Sequence, residues 1–308
     1  MWPVLWLLSW LAPGPPPPGR EPVLRVPVWL ETNGSEHPAL QAREISASLN
    51  GAPARVVRVL GPQHDMLLLL LLDLTEDLSL AQLAKQTLAT ELEKLPAHIY
   101  VTVLRASDGL RVLADPSAER APLMAAIREL PVSGKAGLLE SLPAALKLAE
   151  VVLGKAAVRV GLLYVSDSSI YNYRDDYINP VINYSDRHDL SRRFPEVFVK
   201  EKISRLERQL AALESPLFIV HLSYRNDRLN EAYQTGLMQL AAALGGSARF
   251  CRSRQEISGQ IAGALERLAA VHRVDLEVPP RAGKFATVQL EAPGRPLVYR
   301  NRFALEAR

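Results

Sequence analysis

Met66-Leu-Leu-Leu-Leu-Leu-Leu72 is an unbroken apolar run that ends on Asp73, and the stretch from Val158 to Val165 behaves the same way, with Asp167 just beyond it. Runs of this length suit strands covered on both faces of a parallel sheet. The pattern around them alternates. A helix with Leu80, Leu83, Ala84, Leu88 and Leu92 on one face follows the first run. His98 to Leu104 then reads as a strand, Ser107-Asp108-Gly109 as a turn and Leu110 to Leu113 as a short antiparallel edge strand. Helices are expected around 118–130 and 137–153, with Pro143 near the start of the second. Beyond Asp167 a polar loop runs from Ser168 to Pro195, followed by a helix carrying Ile203, Leu206, Leu210 and Leu213. A strand at Leu217–Leu222, a helix at 229–244, a strand at Ala248–Cys251 and a helix at 254–271 complete the series. The fold class is therefore α/β: a doubly wound, mostly parallel sheet with helices on both faces, spanning 63–271.

The flanks are strand-like. Val23 to Leu30, Ile45 to Leu49 and Val56 to Val59 precede the α/β region, with Asn50-Gly51 as a hairpin signal. Val274 to Val278, Phe285 to Leu290 and Pro296 to Tyr299 follow it. Neither end has enough strands for its own core, so 22–62 and 272–308 are expected to pack together as one small β-domain. Residues 1–21 pair a short apolar stretch, Met1 to Ala12, with the spacer Pro13-Gly-Pro-Pro-Pro-Pro-Gly19. This is the length of a signal-peptide core and predicts an extracytoplasmic, periplasmic or secreted protein, although no basic residue precedes the stretch. No other segment reaches the roughly 20 apolar residues that cross a bilayer.

Composition excludes several classes. The 308 residues are 48% apolar and 22% charged, near the globular average. A single cysteine, Cys251, rules out an internal disulfide framework and Cys-based metal centres. Aromatics at 6% and a net charge of +3 offer neither a stacking surface nor a phosphate-binding face, so nucleic acid is not an expected partner.

In doubly wound folds, ligands bind beyond the carboxyl ends of the strands, where strand order reverses. Asp73 and Asp167 stand there, and two converging carboxylates repel unless a cation lies between them. The alternative for each is capping the following helix. Asp73-Leu-Thr75-Glu-Asp77 adds oxygen-bearing side chains at alternate positions of one loop, which suits a hard cation.

These features together resemble the von Willebrand factor type A domain, in which an apolar strand, an Asp-x-Ser-x-Ser loop, an amphipathic helix, an edge hairpin and a later strand ending in Asp build a metal-ion-dependent adhesion site. The flanking β-segments, the phrase Leu240 to Phe250 and the tail Phe285 to Phe303 are similar to the von Willebrand A-related proteins described from Acidobacteria. The resemblance implies a non-catalytic module that binds a protein or extracellular ligand, in adhesion or in envelope assembly. Its metal residues carry over onto Asp73, Thr75, Asp77 and Asp167. Ser168 stands where the family has Gly, and Ala136 stands where it has the ligating Thr. Two outcomes stay open: the three carboxylates hold Mg2+ or Ca2+ without that Thr, or Lys135 neutralises them and no metal is needed.

The 168–195 loop is dense in tyrosine, arginine and aspartate, residue types suited to recognition. Tyr171, Tyr173, Arg174, Asp176 and Tyr177, with Lys135 and Ser168, are the candidate ligand contacts; the alternative is an insertion packed over the domain. Catalytic motifs are missing: Asp73 lacks the second Asp that a phosphatase nucleophile wants at position 75, and the six histidines have no ligand spacing. Cys251 beside Phe250 reads as a small buried hydrophobe.

Overall fold

The computed structural model describes residues 23–31, 39–173, 196–279 and 283–305. Along the chain the strands are β1 (Val23–Leu30), β2 (Ser46–Leu49), β3 (Ala52–Pro53), β4 (Val56–Leu60) and β5 (Met66–Asp73), followed by helix α1 (Leu78–Lys94). Next come β6 (Ile99–Arg105), β7 (Arg111–Ser117), α2 (Arg120–Glu129), α3 (Leu138–Lys155), β8 (Arg159–Ser166) and α4 (Glu196–Leu210). The chain continues through β9 (Leu217–His221), α5 (Arg228–Ala243), β10 (Ser247–Phe250) and α6 (Arg254–Ala269). It closes on β11 (His272–Glu277), β12 (Phe285–Glu291), β13 (Leu297–Tyr299) and β14 (Arg302–Ala304).

The expected α/β architecture is present. The central sheet has the order β10-β9-β8-β5-β6-β7, parallel throughout except for β6 with β7. Every residue of β5 and β8 is buried. Leu67, Leu69 and Leu71 pack into one core with α3, α4 and α5, whereas Leu68, Leu70 and Leu72 pack into the other with α1, α2 and α6. The two-residue side-chain period thus feeds both layers from one apolar run.

The edge hairpin departs from its expected extent. β7 starts at Arg111 and continues to Ser117, past Pro116. Proline is tolerated there because an edge strand leaves alternate N–H groups unused. Pro143 lies inside α3, beyond its first turn, where it gives up a main-chain hydrogen bond.

The two ends of the chain do pair. β1 lies between β13 and β11, with β4 on the far side of β11, and a second sheet runs β14-β12-β2-β3. Asn50 and Gly51 join β2 to β3 with φ of 52° and 80°, the left-handed pair that a tight hairpin turn requires. Leu24, Val26, Val28, Val274 and Leu276 meet Leu49, Ala286, Val288, Leu290 and Phe303 between the sheets.

The other faces of β1 and β11 seat the sandwich on the α/β layers. Trp29 donates its ring N–H to Arg267 O at 2.7 Å and meets Phe218 edge-on at 5.7 Å. Arg25 pairs with Glu214 at 2.9 Å. Buried Asp275 accepts from Arg273 at 2.6 and 3.0 Å and from Arg58 at 2.6 Å, and Arg273 reaches Val158 O at 2.6 Å. The ion pairs satisfy groups that would otherwise be stranded on a buried face.

Candidate functional site

β5 has β6 on one side and β8 on the other, so strand order reverses at its carboxyl end. Asp73 is the last residue of β5 and lies opposite Ser166 of β8, which brings Asp167 to the same place. Asp167 N donates to Asp73 O at 3.4 Å.

The two carboxylates meet different surroundings. Asp167 Oδ1 accepts Thr75 N at 2.7 Å, while Oδ2 accepts Asp77 N at 2.8 Å and Glu76 N at 3.1 Å. It binds the main chain that leads into α1, as an anion does at a helix N-terminus. Burial raises its pKa against the opposing pull of those three N–H groups. Asp73 is fully buried; its Oδ2 accepts Gly137 N at 3.0 Å and the Tyr164 hydroxyl at 3.1 Å, and its Oδ1 has no partner. Burial pushes Asp73 up to about 7, with the nearby Asp167 charge adding to the rise.

The hydroxyls are used on one another. Asn172 donates Nδ2–H to Thr75 Oγ1 at 2.8 Å, Thr75 and Ser168 hydroxyls are 2.6 Å apart, and Ser168 donates to Asp73 O at 3.3 Å. One consistent direction runs from Asn172 through Thr75 and Ser168 to the Asp73 carbonyl. Asp77 caps α1, its Oδ1 accepting Ser79 N at 2.8 Å and Leu80 N at 3.0 Å.

This donor set does not fit a divalent ion. A hard cation needs several oxygens turned toward one point, but here the oxygens of Asp167 and the bound oxygen of Asp77 face main-chain N–H groups. Among the described residues no three His, Cys, Asp or Glu side chains come together as a metal site. Asp77, expected as a ligand, is a helix cap. Lys135, a candidate ligand contact and one of the two cations offered for the carboxylates, is exposed and makes no ion pair with Asp73, Asp77 or Asp167. Its segment matters through the main chain instead: Ala136 N donates to Asn172 O at 2.8 Å, and Gly137 N reaches Asp73. A Cβ on Gly137 would stand 1.9 Å from Ala106 O, so only glycine approaches β6 closely enough.

Of the candidate ligand contacts, Tyr171 is 54% exposed, with its hydroxyl on Asp227 at 3.0 Å. Tyr173 is buried and its hydroxyl lies 2.6 Å from that of Tyr233, which makes it part of the core rather than a recognition residue. Ser168 is likewise buried. Arg174, Asp176 and Tyr177 lie outside the described residues. Sequence reasoning missed Asn172, Tyr164 and Glu76. Glu76 accepts Ser169 N at 2.6 Å and Ser169 Oγ at 2.7 Å and pairs with Arg225, pinning the start of the loop. Only its place inside the acidic loop could have flagged it.

His221 lies beneath Ser168, with Nε2 donating to Ser168 O at 2.9 Å and Nδ1 accepting Ser223 N at 3.3 Å. Burial lowers its pKa and keeps the ring neutral. Both ring nitrogens are engaged with main chain, so this histidine reaches no hydroxyl nucleophile. Cys251 is 1% exposed and burial raises its thiol to about 11. Thiol reagents at pH 8 are therefore expected to leave the native protein unlabelled and to react with one thiol after unfolding; rapid native labelling would contradict this.

No protein-family profile matches the chain, and no curated protein matches it. Solved structures with some likeness include von Willebrand factor type A from Catenulispora acidiphila, at 11% identity over 93% of this chain and 74% of that one, with a TM-score of 0.48. The SpRpn10 VWA domain gives 12% identity over 66% and 97%, with a TM-score of 0.41. Proximal thread matrix protein 1 from the mussel byssus, with a zinc-occupied MIDAS motif, gives 12% over 70% and 48%, with a TM-score of 0.44. At these scores the likeness assigns no ligand, partner or residue role. Among the described residues no helix is long and apolar enough to cross a membrane.

Proposed function

We propose that this chain is a non-catalytic binding module that takes a protein or surface ligand at the carboxyl ends of β5 and β8, over a degenerate metal-ion-dependent adhesion site that works without metal. The observation that supports it is the allocation of lone pairs. Asp167 is satisfied by three N–H groups, Thr75 and Ser168 by each other and Asn172, and Asp77 by α1. Of these floor carboxylates Asp73 alone keeps a buried oxygen, Oδ1, without a partner among the described residues, and exposed groups beside it include Lys135 and Tyr171, with the Glu76–Arg225 pair. An exposed aromatic ring and an ammonium without an ion pair among the described residues suit recognition of another polypeptide. Among the described residues His221 is engaged on both ring nitrogens and Cys251 is buried, so neither supplies a base or a thiol nucleophile to the site.

The proposal extends to an extracytoplasmic location, on the apolar stretch Met1 to Ala12, and to kinship with the von Willebrand A-related proteins described from Acidobacteria, on Leu240 to Phe250 and the C-terminal tail. Calorimetric titration with magnesium, calcium and manganese, beside an Asp73→Ala variant, tests it. No saturable heat is expected from either protein. Saturable binding by the wild type that Asp73→Ala abolishes would restore a working metal site, and turnover of p-nitrophenyl phosphate would overturn the non-catalytic reading.

A further inference from the structure

The central sheet has two edges, and they are built differently. β7 carries Pro116, which has no N–H to offer. β10 at the other edge contains no proline and, among the described residues, pairs only with β9. Cys251 N donates to His221 O and Cys251 O accepts Tyr224 N, each at 2.8 Å, so the main chain there is turned toward β9. By two-residue alternation Arg249 is turned the same way, and the N–H and C=O groups of Ala248 and Phe250 face outward.

Hollows lie on both sides of this edge. One of about 470 Å³ opens toward α5, lined by Tyr224, Glu231, Met238, Phe250 and Arg252. Another of about 260 Å³ opens toward α6, lined by Phe218, Ser247, Ala264 and Arg267. Arg249 and Gln260 border both. An added strand would send successive side chains alternately into the two.

The wells are basic. Among the described residues Glu231 is the one acidic residue lining the hollows beside Arg249, Arg252 and Arg267, Glu256 is engaged on the Arg252 main-chain N–H at 2.9 Å, and none of the three arginines makes an ion pair. Arg252 lies 5.4 Å over the Tyr224 ring and Arg267 5.9 Å over Phe218, which positions both guanidinium groups while leaving N–H donors for a carboxylate. Met238 and Tyr224 are 45% and 40% exposed and supply apolar surface beside the charges.

We infer that the open edge of β10 is a strand-addition site for an extended segment of a partner polypeptide that alternates acidic and apolar side chains. This surface is separate from the one at the ends of β5 and β8 and stands without it.

The test is selection of random dodecapeptides on the immobilised full chain, followed by affinity measurements on variants. Enriched peptides are expected to carry acidic residues spaced by two, and bound peptide should slow hydrogen exchange at the Ala248 and Phe250 amides. Ala248→Pro removes an outward N–H at a position where an edge strand accepts proline, and should weaken binding by about tenfold or more. Arg249→Glu combined with Arg252→Glu should do the same by charge alone, in a variant whose fold is not at risk. The inference is overturned if no enriched peptide depends on β10, or if both variants bind as well as the wild type. It is also overturned if sedimentation shows a dimer that Ala248→Pro abolishes, since the edge would then belong to a second copy.

Discussion

Replacing Asp73 with asparagine is expected to make the protein more stable at pH 8 by about 2–4 kcal/mol and to flatten its stability between pH 4 and 7. The reason is the burial of that carboxyl with one oxygen unpartnered, which lifts its pKa from 3.8 to about 7. Below pH 3.8 the group is protonated in both folded and unfolded chains, and it contributes no pH dependence. Between 3.8 and about 7 the unfolded chain releases the proton while the folded chain retains it, so stability falls as pH rises. Above 7 both forms are ionised, and the folded state bears the full cost of the buried charge, a cost that a neutral amide avoids. Gly137 N and Tyr164 can still donate to the amide oxygen in place of Oδ2. Urea denaturation of both proteins at pH 5 and pH 8 measures the difference. A variant less stable than the wild type at pH 8, or a wild-type midpoint raised by millimolar magnesium, would mean that a cation and not a proton balances Asp73.

The second large effect is structural. Arg159→Met should lower stability by about 3–5 kcal/mol, read from the urea midpoint at neutral pH. Arg159 is fully buried, and among the described residues its guanidinium hydrogen-bonds to main-chain carbonyls. It donates to Pro62 O and Ala269 O at 2.7 Å, to His64 O at 2.7 and 3.2 Å and to Val271 O at 3.0 Å. These carbonyls belong to the entry to β5 and to the passage from α6 to β11, so one side chain ties both to the start of β8. Burial lowers its pKa to about 10, with Asp65 opposing, and the group still carries its charge at neutral pH. Methionine fills the space of the stem but leaves those carbonyls dry and unpaired. A loss below about 1 kcal/mol would show that water enters and replaces the guanidinium.

The buried arginine also marks where reading the chain fell short. Val158 to Val165 is recognisable as a central strand from its apolar content, yet nothing local distinguishes a buried Arg159 from one that leans into solvent at a strand end. Its carbonyl partners lie about a hundred residues away along the chain. Tyr173 is a similar case. Its neighbours in sequence belong to a polar loop, and only the approach of α5, bringing Tyr233, makes it a core residue. Asp77 is the reverse. The sequence offered it as a metal ligand, and the start of α1 at Leu78 makes it the cap of that helix.

What the sequence by itself determined was whatever repeats over a few residues. The continuous apolar runs placed β5 and β8 at the centre of the sheet, and Asn50-Gly51 placed a hairpin, because side-chain period and backbone dihedral preference are local properties. The adjacency of Asp73 and Asp167 followed from the same runs, since the two most buried strands are neighbours. The tertiary structure alone decided which atoms those carboxylates face. Whether Asp167 meets a cation, a lysine or three N–H groups depends on how closely the loop from Leu74 to Asp77 folds over β8, and Asp73 depends on Gly137 passing within reach of Ala106. Hydrogen bonds act over about 3 Å and are set by backbone positions contributed by distant segments, and no pattern within one segment encodes them.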